Sequence, residues 1–145
     1  DAQLLVVGSR PTSRVRELAT TPGVTVTGRV ETTPPWFDRS AVAIAPLRLA
    51  RGVQNKVLEA LSMGVPVVAT PQAAQGLGAV PDGVVAIAAD EAATLAALSR
   101  WLADPPAARA AGRSAAAWVR DTWRWQRMYE RCDALLAALG VPFAR

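Results

Sequence analysis

The sequence has no histidine, one cysteine (Cys132) and one lysine (Lys56) among its 145 residues. Without histidine, the commonest general base of enzymes is missing, and Cys132 has no histidine with which to form a nucleophile pair. A single cysteine also excludes an internal disulfide and a cysteine-based metal site, which is typical of a protein from a reducing cytoplasm. The sequence therefore predicts no metal and leaves the catalytic residues unassigned.

Long apolar runs are also missing. No run approaches the ~18 apolar residues of a membrane-spanning helix, and the first residues lack the basic and apolar pattern of a secretion signal. Hydrophobic residues nevertheless make up 51% of the chain. This excludes a disordered chain and predicts one folded domain over residues 1–145.

The formal net charge is +4 and the sequence pI is about 10.5. The basic residues are spread along the whole chain, and no stripe of alternating aromatic and basic residues accompanies them. This pattern predicts no nucleic-acid partner. A mildly basic surface instead suits a phosphate-bearing ligand or an anionic membrane surface.

Short apolar segments alternate with helical patterns along the chain. Such an alternation predicts an α/β fold, in which helices cover both faces of a Rossmann-like parallel sheet, followed by a helical C-terminal segment. Trp101, Trp118 and Trp125 are expected to pack in the core or between helices. Strands are predicted at residues 4–8, 24–28, 41–46, 65–70 and 84–88. Helices are predicted after Thr12 or Ser13, at Pro34, over 55–63, from Asp90 to about Ala103, from Asp104 through Val119, and around Trp125 to Leu136.

Known phosphate-binding and phosphoacceptor patterns are not found where such a sheet would bind a ligand. In these folds the ligand lies beyond the carboxyl ends of the strands. The Gly-x-Gly-x-x-Gly fingerprint is missing, because Gly8 has no partner glycines, and a P-loop is missing as well. The strand ends also lack the acidic residues that a receiver domain would need.

One loop and helix start, residues 51–61, combines features of an anion site. Gly52 allows close approach of backbone to a ligand, and Asn55 begins a helix whose free N–H groups favour an anion such as a diphosphate. Lys56 would lie beside that anion, and Glu59 on the face of Asn55 could accept two sugar hydroxyls. The alternative is a surface Lys56–Glu59 pair worth ~0.2–0.5 kcal/mol. Spacing alone leaves both interpretations open.

The segment GVQNKVLEALSMGVPVVAT, residues 52–70, resembles the donor-binding motif of retaining glycosyltransferases built from two Rossmann-like domains, the GT-B architecture. It is most similar to bacterial exopolysaccharide and PEP-CTERM-associated sugar transferases. Residues 5–11, 24–30 and 42–48 fit the same pattern, so the resemblance extends over nearly the whole chain.

The resemblance implies a transfer of sugar from a UDP- or GDP-linked donor to a glycan or lipid-linked acceptor, without a further cofactor. Glu59 would then hold the ribose hydroxyls, and Lys56 with nearby N–H groups would face the diphosphate. Gly52 would lie under the sugar, and Arg29 and Val30 beside the base. Relatives often have a glutamate where this chain has Arg51, which implies an altered sugar contact and makes an anionic sugar conceivable.

The resemblance also implies that an acceptor domain and the first, central strand of the usual order 3-2-1-4-5-6 precede this chain. We therefore expect a truncated C-terminal domain with a gap in its sheet, completed by a changed strand order or by another chain. Self-association and peripheral contact with the inner membrane face stay open. Two other functions also stay open: a nucleotide-sugar epimerase of the same architecture, and a noncatalytic interaction module.

Overall fold

A computed structural model describes residues 2–140, and the chain divides between Arg39 and Ser40 into two compact units. Within residues 2–140, five strands form two parallel sheets, one of two strands and one of three. The parallel α/β architecture predicted from the sequence is confirmed. The expected gap in the sheet, and its completion by a changed strand order or by another chain, stay predictions.

The first unit is a short β-α-β arrangement followed by one helical turn. Strand β1 (Leu4–Val7) pairs in parallel with β2 (Val24–Gly28), with Leu4 opposite Val24. Helix α1 (Ser13–Glu17) connects them and continues into a 3₁₀ turn. The Thr12 hydroxyl accepts a hydrogen bond of 3.3 Å from the Val15 amide, so the predicted cap of α1 is confirmed. Helix α2 (Pro34–Asp38) begins with two prolines, which lack the N–H groups that a helix start leaves unpaired.

The second unit is a three-stranded parallel sheet with helices packed against it. Its strands have the order β3-β4-β5, so β4 is central. The bounds of its elements are β3 (Ala43–Ala45), α3 (Asn55–Ser62), β4 (Val67–Ala69), α4 (Pro71–Ala74), a 3₁₀ turn (Gln75–Leu77), β5 (Val85–Ile87), α5 (Glu91–Ala103), α6 (Pro105–Thr122) and α7 (Trp125–Ala138). Asp90 and Asp104 cap α5 and α6 through their side chains, as predicted.

The core of this unit lies around β4 and α3. All three residues of β4 are buried, and Val57, Ala60 and Leu61 line the buried face of α3. Helix α6 packs on α3 through small side chains. Gly112 lies so close to the backbone of Gly64 that a methyl group there would overlap the Gly64 carbonyl. The buried face holds α3 in place and leaves its opposite face exposed.

Three details differ from the sequence predictions. Four of the five strands are shorter than predicted, whereas β2 has its predicted bounds. Helix α4 with its 3₁₀ turn was not predicted, because its four residues are too short for a periodic pattern. Trp101 is buried and Trp118 half-buried, as expected, but the prediction for Trp125 was wrong, since 75% of this residue is exposed. Trp125 stacks on Tyr129, one turn later on the same exposed face of α7. Helical spacing predicts which residues lie on the same face of a helix, but it does not predict whether another element packs against that face.

Candidate functional site

The loop between β3 and α3, residues 46–54, leaves the carboxyl end of β3, where parallel sheets bind ligands. We call it the β3–α3 loop. The Thr70 hydroxyl, at the carboxyl end of the neighbouring strand β4, donates a hydrogen bond of 2.7 Å to the Leu47 carbonyl. This bond is partly buried and joins residues 23 positions apart. It ties the beginning of the loop to the end of the central strand.

The second half of the β3–α3 loop turns sharply at Gly52. The φ angle of Gly52 is +62°, a backbone conformation that residues with a side chain rarely adopt. The Gln54 side-chain amide donates to the Arg51 carbonyl at 3.1 Å and more weakly to the Gly52 carbonyl at 3.5 Å. The Arg51 side chain is exposed. A glycine is favoured here by its backbone conformation, and its predicted place under the donor sugar stays a prediction.

Helix α3 begins without a side-chain cap. Gln54 occupies the N-cap position, but its side chain bonds the loop carbonyls instead of the amides of the first turn, and that turn contains no acidic residue. The helix start therefore keeps its partial positive charge and N–H groups that an anion can accept from. Helices α2 and α7 also lack a side-chain cap, so the open end alone does not define a site.

Asn55, Lys56 and Glu59 are all exposed, at or near this open end. Within residues 2–140 the one ion pair joins Arg127 and Glu130 at 3.5 Å, so Lys56 and Glu59 do not form the surface pair that was the alternative interpretation. A carboxylate without a cation partner keeps its acceptor positions for another ligand. The arrangement thus presents a cation beside an open helix start, with a carboxylate one turn further along.

Arg29 and Val30 lie in the first unit, directly after β2. Arg29 is exposed and Val30 half-buried. The second unit brings together the other five predicted residues, Arg51, Gly52, Asn55, Lys56 and Glu59. The contribution of Arg29 and Val30 to a shared site stays a prediction.

Sequence reasoning missed three residues that shape the β3–α3 loop: Gln54, Thr70 and Gly76. A methyl group on Gly76 would overlap the Gly52 carbonyl and lie 2.7 Å from the Val53 backbone nitrogen. Thr70 carried a local signal, because threonine before proline is a frequent helix start, and its hydroxyl accepts from the Ala73 amide at 3.3 Å. Gly76 carried no local signal, because the backbone that it contacts, at Gly52 and Val53, lies more than twenty residues earlier in the chain.

A surface depression of about 390 Å³ lies on α6 and α7 and contains none of the predicted site residues. It is lined by Asp121, Thr122, Arg127, Glu130, Arg131 and Ala134. Two of its side chains, Arg127 and Glu130, already pair with each other. The depression is therefore separate from the helix start and loop that carry the predicted site residues.

Among the residues described, no three histidine, cysteine or carboxylate side chains come together as they would around a metal ion. The same part of the chain has no helix whose length and apolarity would let it cross a membrane.

Comparisons with known proteins place these residues in a family context. The family described as "Glycosyl transferases group 1" matches residues 1–104, which include the β3–α3 loop and all of α3. No curated protein sequence matches the chain. A solved structure, the sucrose-phosphate synthase from Thermosynechococcus elongatus, is similar with a TM-score of 0.76 and 25% identity.

That similarity covers 94% of this chain and 38% of the synthase chain, so this chain spans well under half the length of its structural relative. The likeness confirms a Rossmann-like α/β fold of the kind found in the C-terminal half of GT-B enzymes. The family match covers more than half of the sequence, including every predicted site residue. The chain therefore belongs to the group 1 glycosyltransferases.

Proposed function

We propose that this chain is the donor-binding domain of an enzyme that transfers a sugar from a nucleoside diphosphate sugar to a glycan or lipid-linked acceptor. The observation that carries the proposal is the open start of α3 beside Lys56 and Glu59, which form no ion pair within the described part of the chain. These residues lie inside the segment that matches a glycosyltransferase family. The synthase with the similar fold is also named for the formation of a sugar phosphate.

The diphosphate of the donor binds at the start of α3. There the backbone N–H groups and the positive end of the helix favour an anion, and the exposed Lys56 adds a full charge. Asn55 is the first helical residue and can add a side-chain donor. Without a ligand, the positive end of the helix repels the Lys56 charge, so that charge destabilises the helix. With an anion bound, the attraction between Lys56 and the anion makes the same charge favourable.

Glu59 accepts the two ribose hydroxyls of the nucleotide. Its carboxylate is exposed and lies one turn after Asn55 on the same face of α3. Two oxygens can each accept one hydroxyl of a diol, which gives a bidentate contact. The buried face of α3, with Val57 and Leu61, anchors the helix that carries Glu59.

The β3–α3 loop lies under the donor sugar, with Gly52 as its closest backbone and the exposed Arg51 as a charged contact. An arginine there favours a donor whose sugar carries a carboxylate or another anionic group. Arg29 and Val30 lie beside the base, and UDP or GDP is the leaving nucleotide.

The remaining features of the proposal follow from the family resemblance of residues 52–70. Transfer proceeds with retention of the anomeric configuration, in a bacterial exopolysaccharide pathway, in the cytoplasm or at the inner face of its membrane. The acceptor is held by a domain other than the one described, so this domain on its own binds nucleotide without transferring sugar.

Calorimetric titration with UDP, GDP and ADP tests the site. We expect Glu59→Gln to weaken nucleotide binding by about tenfold, because a charge-assisted hydrogen bond contributes roughly 1.5–3 kcal/mol and tenfold corresponds to about 1.4 kcal/mol. Glu91→Gln is the matched control, since Glu91 is an exposed glutamate in the first turn of α5. Equal affinities of wild type and Glu59→Gln would refute the assignment of Glu59.

A second assay separates transfer from epimerisation. The intact protein is incubated with a nucleotide sugar, and the released nucleoside diphosphate is measured with and without acceptor. Release that depends on acceptor supports transfer. Interconversion of the sugar without release would support an epimerase, which needs acid and base groups to move a proton.

A further inference from the structure

We propose that Gly76 and Thr70 are positioning residues for the donor, because their contacts with the backbone of the β3–α3 loop determine its conformation. Thr70 is the last residue of the segment that resembles the donor motif, and Gly76 lies outside that segment. Neither residue needs to touch the ligand. The inference rests on the proposed function, since it assumes that this loop and the start of α3 bind a nucleoside diphosphate.

Gly76 is a glycine for reasons of space. Of the ten glycines in the chain, Gly76 and Gly112 are the two whose φ angles lie outside the positive range, so neither is required by its backbone conformation. A methyl group on Gly76 would overlap the Gly52 carbonyl and lie 2.7 Å from the Val53 nitrogen. Real Cβ atoms essentially never come within 3.0 Å of a heavy atom to which they are not linked through the local chain. One of the two backbones would therefore have to move.

The β3–α3 loop is the backbone that would move. Gly76 belongs to the 3₁₀ turn Gln75–Leu77, and Leu77 is 3% exposed, while Ala73 in the preceding helix is fully buried. Both anchor the turn in the core. The loop, in contrast, exposes Arg51, Gly52 and Val53 to solvent. A displacement there moves Gly52 and the first amides of α3 together, because only one residue, Gln54, separates Val53 from the helix.

Thr70 acts at the other end of the same loop. Its hydroxyl donates to the Leu47 carbonyl at 2.7 Å and accepts from the Ala73 amide at 3.3 Å, so its hydrogen and one lone pair are both used. The loop is thus held near its start by Thr70 and near its end by Gly76. Both contacts come from the segment that follows the central strand β4.

The test compares nucleotide affinity with thermal stability in the intact protein. We expect Gly76→Ala to raise the Kd for UDP, GDP or ADP, whichever binds best, by about tenfold or more, since misplacement of about 1 Å can cost as much as 100-fold. Thr70→Val removes the hydroxyl and is expected to raise Kd about three- to tenfold, while Thr70→Ser keeps the bond and restores affinity to within about twofold.

Gly112→Ala is the matched control. It introduces the same kind of backbone overlap, but against Gly64 after the opposite end of α3. It should lower the melting temperature at least as much as Gly76→Ala without a comparable rise in Kd. Hydrogen exchange of the amides of residues 47–53 in the nucleotide-free protein should increase in Gly76→Ala and Thr70→Val and stay unchanged in Gly112→Ala.

Three results would overturn the inference. Gly76→Ala could bind nucleotide as wild type does while Glu59→Gln binds weakly, in which case the proposed function stands and the inference fails alone. Gly112→Ala could weaken binding as much as Gly76→Ala, which would make the effect one of stability. A wild-type protein that binds none of the three nucleotides would remove the proposed function and this inference with it. If Gly76→Ala does not fold, the comparison of Thr70→Val with Thr70→Ser decides.

Discussion

Lys56→Gln should change stability and nucleotide affinity in opposite directions. Lys56 lies in the first turn of α3, where the helix end is partially positive. The first turn has no acidic residue, the Gln54 side chain does not cap it, and Lys56 forms no ion pair with any of residues 2–140. Its ammonium group is therefore repelled by the helix end in the absence of a ligand.

The magnitude follows from this geometry. A like charge at an exposed helix end costs about 0.3–1 kcal/mol, and lysine and glutamine have similar helix propensities. Removing the charge should therefore raise the free energy of unfolding of the nucleotide-free protein by that amount. For a chain of this size the melting temperature should rise by about 1–4 °C. With a diphosphate bound, loss of the charge-assisted contact should weaken binding by about ten- to 100-fold.

Two measurements on the same preparations check both effects. Urea unfolding reports the free energy of unfolding without nucleotide, and calorimetry reports Kd for UDP, GDP and ADP. Both differences should shrink in 1 M salt, where the Debye length is only about 3 Å. Arg113→Gln, which removes another exposed cation in the middle of α6, should change neither quantity noticeably. A Lys56→Gln variant that is less stable and binds nucleotide normally would refute the reasoning, because Lys56 would then be a structural residue.

The remaining predictions concern the fold that supports the site. Leu61 is 0% exposed, so Leu61→Ala should lower the free energy of unfolding by about 2–5 kcal/mol, whereas Leu95→Ala, at a residue 64% exposed, should change it by less than about 1 kcal/mol. Urea unfolding with equal losses for both would contradict the packing of α3 described above. Asp104→Ala should cost about 0.5–2 kcal/mol through loss of the 3.0 Å cap on α6, and Asp104→Asn should be close to neutral. If Asp104→Asn were as unstable as Asp104→Ala in the same assay, loss of the helix cap would not explain the destabilisation.

The order of the elements could be predicted from the sequence because their signals are local. Buried parallel strands are short apolar runs, and helix starts show capping residues such as Thr12, Asp90 and Asp104. These signals depend only on neighbouring residues, so they survive without knowledge of the fold. The exposure of Trp125 could not be predicted in this way, because it depends on what packs against that face of α7.

The sequence by itself also determined the main parts of the candidate site. Gly52 is needed for a left-handed turn, and Asn55, Lys56 and Glu59 share a helix start at fixed spacing, so their juxtaposition follows from backbone geometry alone. The tertiary structure decided whether Lys56 and Glu59 pair, because side-chain partners depend on the full surroundings. It also decided what holds the β3–α3 loop in place. Thr70 and Gly76 reach that loop only because β3 and β4 pair in the sheet, which brings residues more than twenty positions apart into contact.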